Sequence, residues 1–210
     1  MNTFTGKQWK ALIAHCKDKK KIERTTNDNL RWPVLDQGHL IFTDTRCMVS
    51  VEVPIVTVHS ADPEYVGGGL VRLDYDLFSD KILAKDTYIV TEDGLFKNGK
   101  QISEWRYINT ATTKGFQQLM DRAHNNAAKM DSDELSFYWE SHKFSYKMLQ
   151  RMSDLAVAFG DNPRIIAVCE HIEYDPSKGD SFTNPRRFGL PTIYCEFALE
   201  LAAQYAPMRR

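Results

Sequence analysis

The stretch Thr87-Tyr88-Ile89-Val90-Thr91-Glu92-Asp93-Gly94-Leu95-Phe96-Lys97-Asn98-Gly99-Lys100-Gln101-Ile102-Ser103 decides the fold class. Asp93-Gly94 and Asn98-Gly99 suit tight hairpin turns, because glycine lacks a Cβ and Asn or Asp tolerates the left-handed backbone region. β-Branched and aromatic residues flank both. Three antiparallel strands are therefore expected, at Thr87–Thr91, Leu95–Lys97 and Gln101–Ile108, joined by Glu92-Asp93-Gly94 and Asn98-Gly99.

Working back from that hairpin pair, helical spacing from Asp74 or Tyr75 to Ala84 buries Phe78 and Ile82 and places Lys81 and Lys85 on one face, one turn apart. Before it, Ile55 to Gly69 ends in three glycines and reads as a surface connection. Cys47, Val49, Val51 and Val53 alternate with Met48, Ser50 and Glu52, the pattern of a half-buried strand, closed by Pro54. Leu30–Leu35 and His39–Phe42 are two further strands, the second reaching a Thr43-Asp44-Thr45 turn. At the start, Thr5 and Gln8 form a capping box, and Trp9, Leu12, Ile13 and Cys16 fall on one apolar stripe. Lys7, Lys10, Lys17 and Lys21 group on a different side of that helix. The N-terminal half thus reads as helix followed by strands, twice over.

Working forward, Asn109–Thr113 has no apolar pattern and reads as the connection between a domain over residues 1–108 and a second over residues 114–210. A third helix carries Phe116, Leu119, Met120, Ala123 and Ala127, with Arg122 off the stripe. Leu135–Trp139 reads as a strand. A fourth helix, Ser145–Phe159, buries Met148, Leu149, Met152, Ala156 and Phe159, exposes Lys147 and Arg151, and is stopped by Gly160-Asp161-Asn162-Pro163. Arg164–Ile172 is a strand and Tyr174–Pro191 a loop. In the last segment, alternation from Ile193 to Leu201 favours strand although Ala198–Ala203 has high helix propensity; strand is preferred. The fold class expected is α+β.

Composition bounds the function. The 210 residues are 42% hydrophobic and 26% charged, enough to build a core without disulfides. Cys16, Cys47, Cys169 and Cys195 stand far apart, with no C-x-x-C pair and no histidine cluster at ligand spacing, so reduced thiols in a cytoplasmic protein are expected. No apolar leader opens the chain, and nothing approaches the roughly 18 apolar residues of a membrane span. The net charge of −1 hides a segregation. Between Thr5 and Arg24, Lys7, Lys10, Lys17, Lys19, Lys20, Lys21 and Arg24 outweigh Asp18 and Glu23, leaving the window at +5 and the remainder at −6. Such a layout lets one surface face a polyanion while the body stays acidic; its plainer reading is a solvated helix face.

Signatures of chemistry are weak. The chain holds no G-x-S-x-G, H-E-x-x-H or G-x-G-x-x-G, and the glycines at 67–69 are followed by Leu70-Val71-Arg72 rather than the G-K-S/T of a phosphate loop. Cys169 and His171 lie in an apolar strand, and Asp74, Asp76 and Asp80 suit a helix N-terminus better than a metal. His15 and Cys16, adjacent on a helix, point apart. The four tryptophans fall within apolar stripes and read as core rather than base-stacking platforms. No catalytic residue, no metal site and no cofactor is expected.

One family fits this pattern. Pro33-Val34-Leu35, Leu40-Ile41-Phe42-Thr43-Asp44-Thr45 and Val49-Ser50-Val51-Glu52-Val53-Pro54 together resemble the bacterial DNA polymerase sliding clamp, in which a P-I-L stretch precedes a strand, an acidic turn and an alternating strand closed by proline. Thr45-Arg46-Cys47 departs from it. Val71-Arg72-Leu73 leading into Tyr75-Asp76-Leu77-Phe78 is similar to the strand feeding the second clamp helix. The ending Tyr205-Ala206-Pro207-Met208-Arg209-Arg210 resembles the bacterial terminal P-M-R-L and the Ala-Pro near the end of eukaryotic and archaeal clamps. The likeness covers Thr5 to Ile108 by element order and the last six residues by motif. In the second half the helices begin thirty residues apart, Phe116 to Tyr146, instead of seventy, Thr5 to Tyr75, so that domain departs from the clamp pattern.

The resemblance implies a short, phage-like processivity factor of two clamp-like domains, each with helices on antiparallel sheets, assembling as a homotrimeric ring around double-stranded DNA. It implies sequence-independent contact between phosphates and a lining of Lys7, Lys10, Lys17, Lys20, Lys21, Lys81, Lys85, Arg122, Lys147 and Arg151, and partners in a DNA polymerase and a clamp loader. Ala206, Pro207, Met208 and Arg209 would accept a hydrophobic peptide of those partners. The alternatives are a DNA-binding or structural phage protein that forms no ring, and a metal-dependent nuclease built from dispersed carboxylates.

Overall fold

The computed structural model describes residues 2–16, 32–44, 47–55, 57–60, 70–74, 80–108, 146–161, 164–168, 192–197 and 201–205. The expected third helix at residues 116–127, the strand at 135–139, the connection at 109–113 and the tail at 206–210 lie outside them.

Strand β1 (Thr3–Thr5) runs straight into helix α1 (Gly6–Ile13) through the expected capping box. The Gln8 amide donates to Thr5 Oγ1 at 3.3 Å while the Thr5 amide donates to Gln8 Oε1 at 2.9 Å, satisfying two of the helix's orphan donors. The helix is shorter than its apolar stripe implied. Its end tightens into i to i−3 bonds, from the His15 amide to the Leu12 carbonyl and from the Cys16 amide to the Ile13 carbonyl, both 3.0 Å. Lys17 lies outside the described residues, and among these the lysine side of the helix consists of Lys7 and Lys10.

The chain then builds β2 (Val34–Asp36), β3 (His39–Thr43), β4 (Cys47–Glu52), β5 (Val71–Leu73), β6 (Thr87–Thr91), β7 (Gly94–Lys97), β8 (Lys100–Ser103) and β9 (Trp105–Tyr107). Both expected hairpin turns form. Asn98 and Gly99 take φ of 50° and 81° between β7 and β8, and the Gln37-Gly38 turn between β2 and β3 repeats that geometry at 50° and 78°. Only the first was visible in the sequence, since glutamine rarely occupies the left-handed region.

Two expectations fail here for local reasons. Residues 80–84 are not helical, so Lys81 and Lys85 do not lie one turn apart on a helix. Polar anchors hold this segment against the β6–β7 hairpin instead: Asp86 Oδ2 accepts from the Leu83 amide at 2.8 Å, Tyr88 Oη donates to Asp80 at 2.7 Å, and Lys97 Nζ donates to Asp80 and to the Lys81 carbonyl. The expected strand Gln101–Ile108 is two strands, broken at Glu104, that belong to different sheets. The Trp105 indole N–H donates to the Thr91 carbonyl at 2.9 Å, fastening the crossing point back onto β6.

Helix α2 (Tyr146–Phe159) matches its expected span. Gly160 at φ 67° ends it, and the Asp161 amide donates to the Ala156 carbonyl at 3.1 Å, the six-to-one bond of a glycine-closed helix end. Three strands follow: β10 (Arg164–Val168), β11 (Thr192–Phe197) and β12 (Leu201–Tyr205). The ambiguous C-terminal segment is thus strand, as preferred, but divided into an antiparallel pair with Phe197 opposite Leu201.

All strand pairs between these elements are antiparallel, in a four-stranded sheet ordered β1-β6-β7-β8 and an eight-stranded sheet ordered β10-β11-β12-β4-β3-β2-β5-β9. The molecule is α+β. Strands from both ends of the sequence share the larger sheet, because β12 pairs with β4, Tyr205 opposite Cys47 and Leu201 opposite Val51. Strand β4 is buried on both faces, Met48 and Ser50 included, rather than half-buried as its alternation implied.

Trp9 is the centre of the core. Fully buried on α1, its ring stacks on Tyr88 of β6 at 5.1 Å, meets Phe42 of β3 edge-on at 5.6 Å and touches Phe4 of β1 at 5.7 Å. One side chain thereby fastens the helix to both sheets. Met148, Leu155 and Phe159 of α2 enter the same cluster, and α2 packs against α1. Leu149, expected inside, is 36% exposed because it sits one step round the helix from that line.

Candidate nucleic-acid interface

Burial of Trp9, Ala11 and Leu12 turns the opposite side of α1, with Lys7 and Lys10, outward. Close backbone approach brings a second cationic segment to the start of this helix. The Gly6 amide donates to the Asp86 carbonyl at 2.7 Å, and Gly6 lies so near the Leu83 carbonyl that no side chain fits there. Lys7 and Lys85 are each one residue from that bond, and both Lys81 and Lys85 are exposed. Lys147, in the first turn of α2, is exposed as well.

These lysines keep their charge available. Asp80 and Asp86 are engaged by Lys97, whose burial works against its charged form but whose pKa is raised by Asp80 and Tyr88. Hydrogen bonds from the Leu83 amide and from Asn98 at 3.0 Å keep the Asp86 carboxyl below its ordinary pKa. Among the described residues, none of Lys7, Lys10, Lys81, Lys85 and Lys147 makes an ion pair. Four of the expected lining residues, Lys17, Lys20, Lys21 and Arg122, lie outside the described residues, as do Ala206, Pro207, Met208 and Arg209.

Arg151 departs from expectation. Instead of facing outward it is half-buried, its Nη1 donating to Asp44 Oδ2 at 2.7 Å and to Cys47 Sγ at 3.1 Å. The Cys47 thiol in turn donates to Asp44 Oδ1 at 3.2 Å, which also accepts the Cys47 amide at 3.0 Å, and Thr43 Oγ1 donates to the Cys47 carbonyl at 2.7 Å. Asp44 therefore does two jobs: it closes the β3–β4 turn, as the sequence implied, and it receives a guanidinium from 107 positions away. No local signal announces that second role.

His15 and Cys16 back onto this junction. The imidazole is wholly buried, and its Nδ1–H donates to the Ala11 carbonyl at 2.9 Å. Burial pushes its pKa down to about 4, the Arg151 charge adds to that, and the Ala11 carbonyl and Asp44 oppose it. Cys47 is pushed up to about 12, first by burial and then by the Asp44 carboxylate, and burial raises Cys16 as well. Thiols held protonated in this way are poor nucleophiles, so the constellation reads as a structural lock between α1, the β3–β4 turn and α2.

The other candidate groups separate similarly. Asp80 is bound to Tyr88 and Lys97, while Asp76, Cys169 and His171 lie outside the described residues. Trp9 and Trp105 are core, as expected, and Trp32 lies under the Arg72 guanidinium at 4.1 Å. No family model, no curated protein and no solved structure matches the chain.

Proposed function

We propose that this chain is a sliding-clamp-like processivity factor, a non-catalytic subunit that assembles with copies of itself into a ring on double-stranded DNA and tethers a DNA polymerase after a loader closes it. The observation that carries this reading is the set of exposed lysines on α1 and on the segment bonded to its N-terminus, which make no ion pair among the described residues. Ammonium groups on long flexible stems make point contacts with phosphates and carry no pattern that reads bases, which suits movement along DNA of any sequence. The packing of α1 against α2 and of α1 against the antiparallel sheets is compatible with it. The resemblance adds the peptide-accepting tail at Ala206, Pro207, Met208 and Arg209, a cytoplasmic setting and a trimer.

The test compares retention on closed circular and linear DNA of equal length, with polymerase and loader present. The wild type should stay on circles and run off linear ends, and light scattering should give a species near 73 kDa, three chains of 24.2 kDa. The double variant K7E/K10E should fold normally, lose retention, and flatten the salt dependence by roughly two units of log K per log salt. A strict monomer, with equal retention on both DNAs, would replace the ring with a simple DNA-binding module. Unchanged salt sensitivity in the double variant would remove α1 from the interface.

A further inference from the structure

We propose that His59, Glu92 and Asp93 form a site for one divalent transition-metal ion, Zn²⁺ being the best fit, that clips residues 57–60 to the β6–β7 turn. The three side chains come from two separate stretches, with His59 and Asp93 34 positions apart, so no ligand spacing is visible in the sequence. The fold brings them together. The His59 amide donates to the Glu92 carbonyl at 2.8 Å, His59 Nδ1 lies 2.9 Å from Asp93 Oδ1, and one ligand atom from each of the three side chains lies within 4.8 Å of the others.

The donor set selects the ion. One imidazole nitrogen with two carboxylates matches zinc and its neighbours, whereas Ca²⁺ and Mg²⁺ prefer oxygen alone. Two carboxylates balance a divalent charge with the imidazole neutral. Metal–ligand bonds of about 2.0–2.2 Å place neighbouring donors roughly 3.3 Å apart, close to the existing 2.9 Å His59–Asp93 separation, with a Glu92 oxygen within 4.8 Å of both. All three groups are exposed, which leaves entry open and the remaining coordination positions to water.

The position gives the ion a structural task. Gln101 Nε2 donates to the Asp93 carbonyl at 2.9 Å and the Asp93 amide donates to Thr91 Oγ1 at 3.2 Å, so the turn is already braced. On the other side, Ser60 Oγ donates to the Trp105 carbonyl at 3.3 Å, and Ser60 bridges Trp105 in register. Because Trp105 belongs to the eight-stranded sheet and the turn to the four-stranded one, an ion here ties the two sheets together.

Calorimetric titration of metal-free full-length protein with ZnCl₂ alone tests this. The wild type should bind one equivalent that H59A and E92Q/D93N lose or weaken by about tenfold or more, and that CaCl₂ and MgCl₂ do not reproduce. Zinc should also raise the wild-type Tm and leave that of H59A unchanged. His59 and Asp93 are 69% and 56% exposed, so neither variant disturbs the core. Equal zinc binding by wild type and H59A would place the ion elsewhere and overturn the proposal. Absence of binding, or equal binding of calcium, would overturn it too.

Discussion

Acidification should unlock the junction between α1 and α2 through His15. The imidazole is fully buried with its pKa pushed down to about 4, whereas in the unfolded chain it takes the ordinary value of 6.5. Between these values the unfolded state binds a proton that the folded state refuses, so stability falls as pH falls across the window. Above about pH 7 the contribution is fully present. A difference of about 2.5 pKa units corresponds to roughly 3 kcal/mol once the pH is below both values, of which about 2 kcal/mol is already lost at about pH 5. Denaturant unfolding at a series of pH values between about 7.5 and 5 measures this as a drop in midpoint at constant m. The variant His15→Asn removes the titration while an amide N–H can still reach the Ala11 carbonyl. Its absolute stability will differ, but its stability should be flatter over that range by about 2 kcal/mol. NMR of the wild-type imidazole should show the neutral Nδ1–H form at about pH 6. Parallel pH profiles for the two proteins, or a His15 that titrates near 6.5, would refute the reasoning.

The ion pair across the junction should behave as a unit. Arg151→Met leaves Asp44 beside a buried thiol without its guanidinium and should cost about 2–3 kcal/mol in chemical denaturation, as should Asp44→Asn. The double variant should cost less than the sum, with a coupling of about 1–2 kcal/mol; strict additivity would mean that the two side chains stabilise separately. Gly6→Ala should lower Tm by roughly 4–8 °C, since the new Cβ meets a backbone carbonyl that cannot rotate away and the collision costs about 2 kcal/mol. An unchanged Tm would show that the segment around Leu83 yields freely.

What the sequence disclosed was local. The Thr5–Gln8 capping box, the Asn98-Gly99 and Asp93-Gly94 turns, the end of α2 at Gly160 and the strand character of Ile193–Phe197 each rest on a few neighbouring residues, and each appears where its chemistry placed it. The failures came where distant groups compete. Residues 80–84 carry helical spacing, yet Asp80 and Asp86 gain more from Tyr88, Lys97, Asn98 and the Leu83 amide than from a helical turn. Gln101–Ile108 reads as one strand because a crossing between sheets leaves no composition signal; only the Trp105 bond to Thr91 marks it. The candidate interface divides in the same manner. The lysines of α1 were legible from its amphipathic pattern, while the inward turn of Arg151 depended on a carboxylate in another part of the chain.

That turn of Arg151 reallocates the charge of the whole face. Lys100 and Arg106 are exposed on β8 and β9, and further cations fall into two sets. Arg151 and Lys97 are neutralised by Asp44 and by Asp80 with Asp86, and Arg72 lies over Trp32, so their charges are spent inside the structure. Lys7, Lys10, Lys81, Lys85 and Lys147 remain directed at solvent. Helix α2 then offers a polyanion little: its outward residues are Lys147, Leu149, Gln150, Ser153, Asp154 and Val157, and Lys147 and Asp154 cancel in net charge. The exposed lysines that the backbone brings close together are therefore those of α1 and of the segment bonded to Gly6. Because screening cuts off interactions beyond about 8–10 Å at physiological salt, the position of a cation matters more than the total. In the retention experiment, K147E is accordingly the internal control. It changes the net charge by the same amount as K10E, but its effect on DNA retention should be the smaller of the two. Equal losses would mean that DNA responds only to overall charge and that the side of the molecule carrying α1 has no special part in holding it.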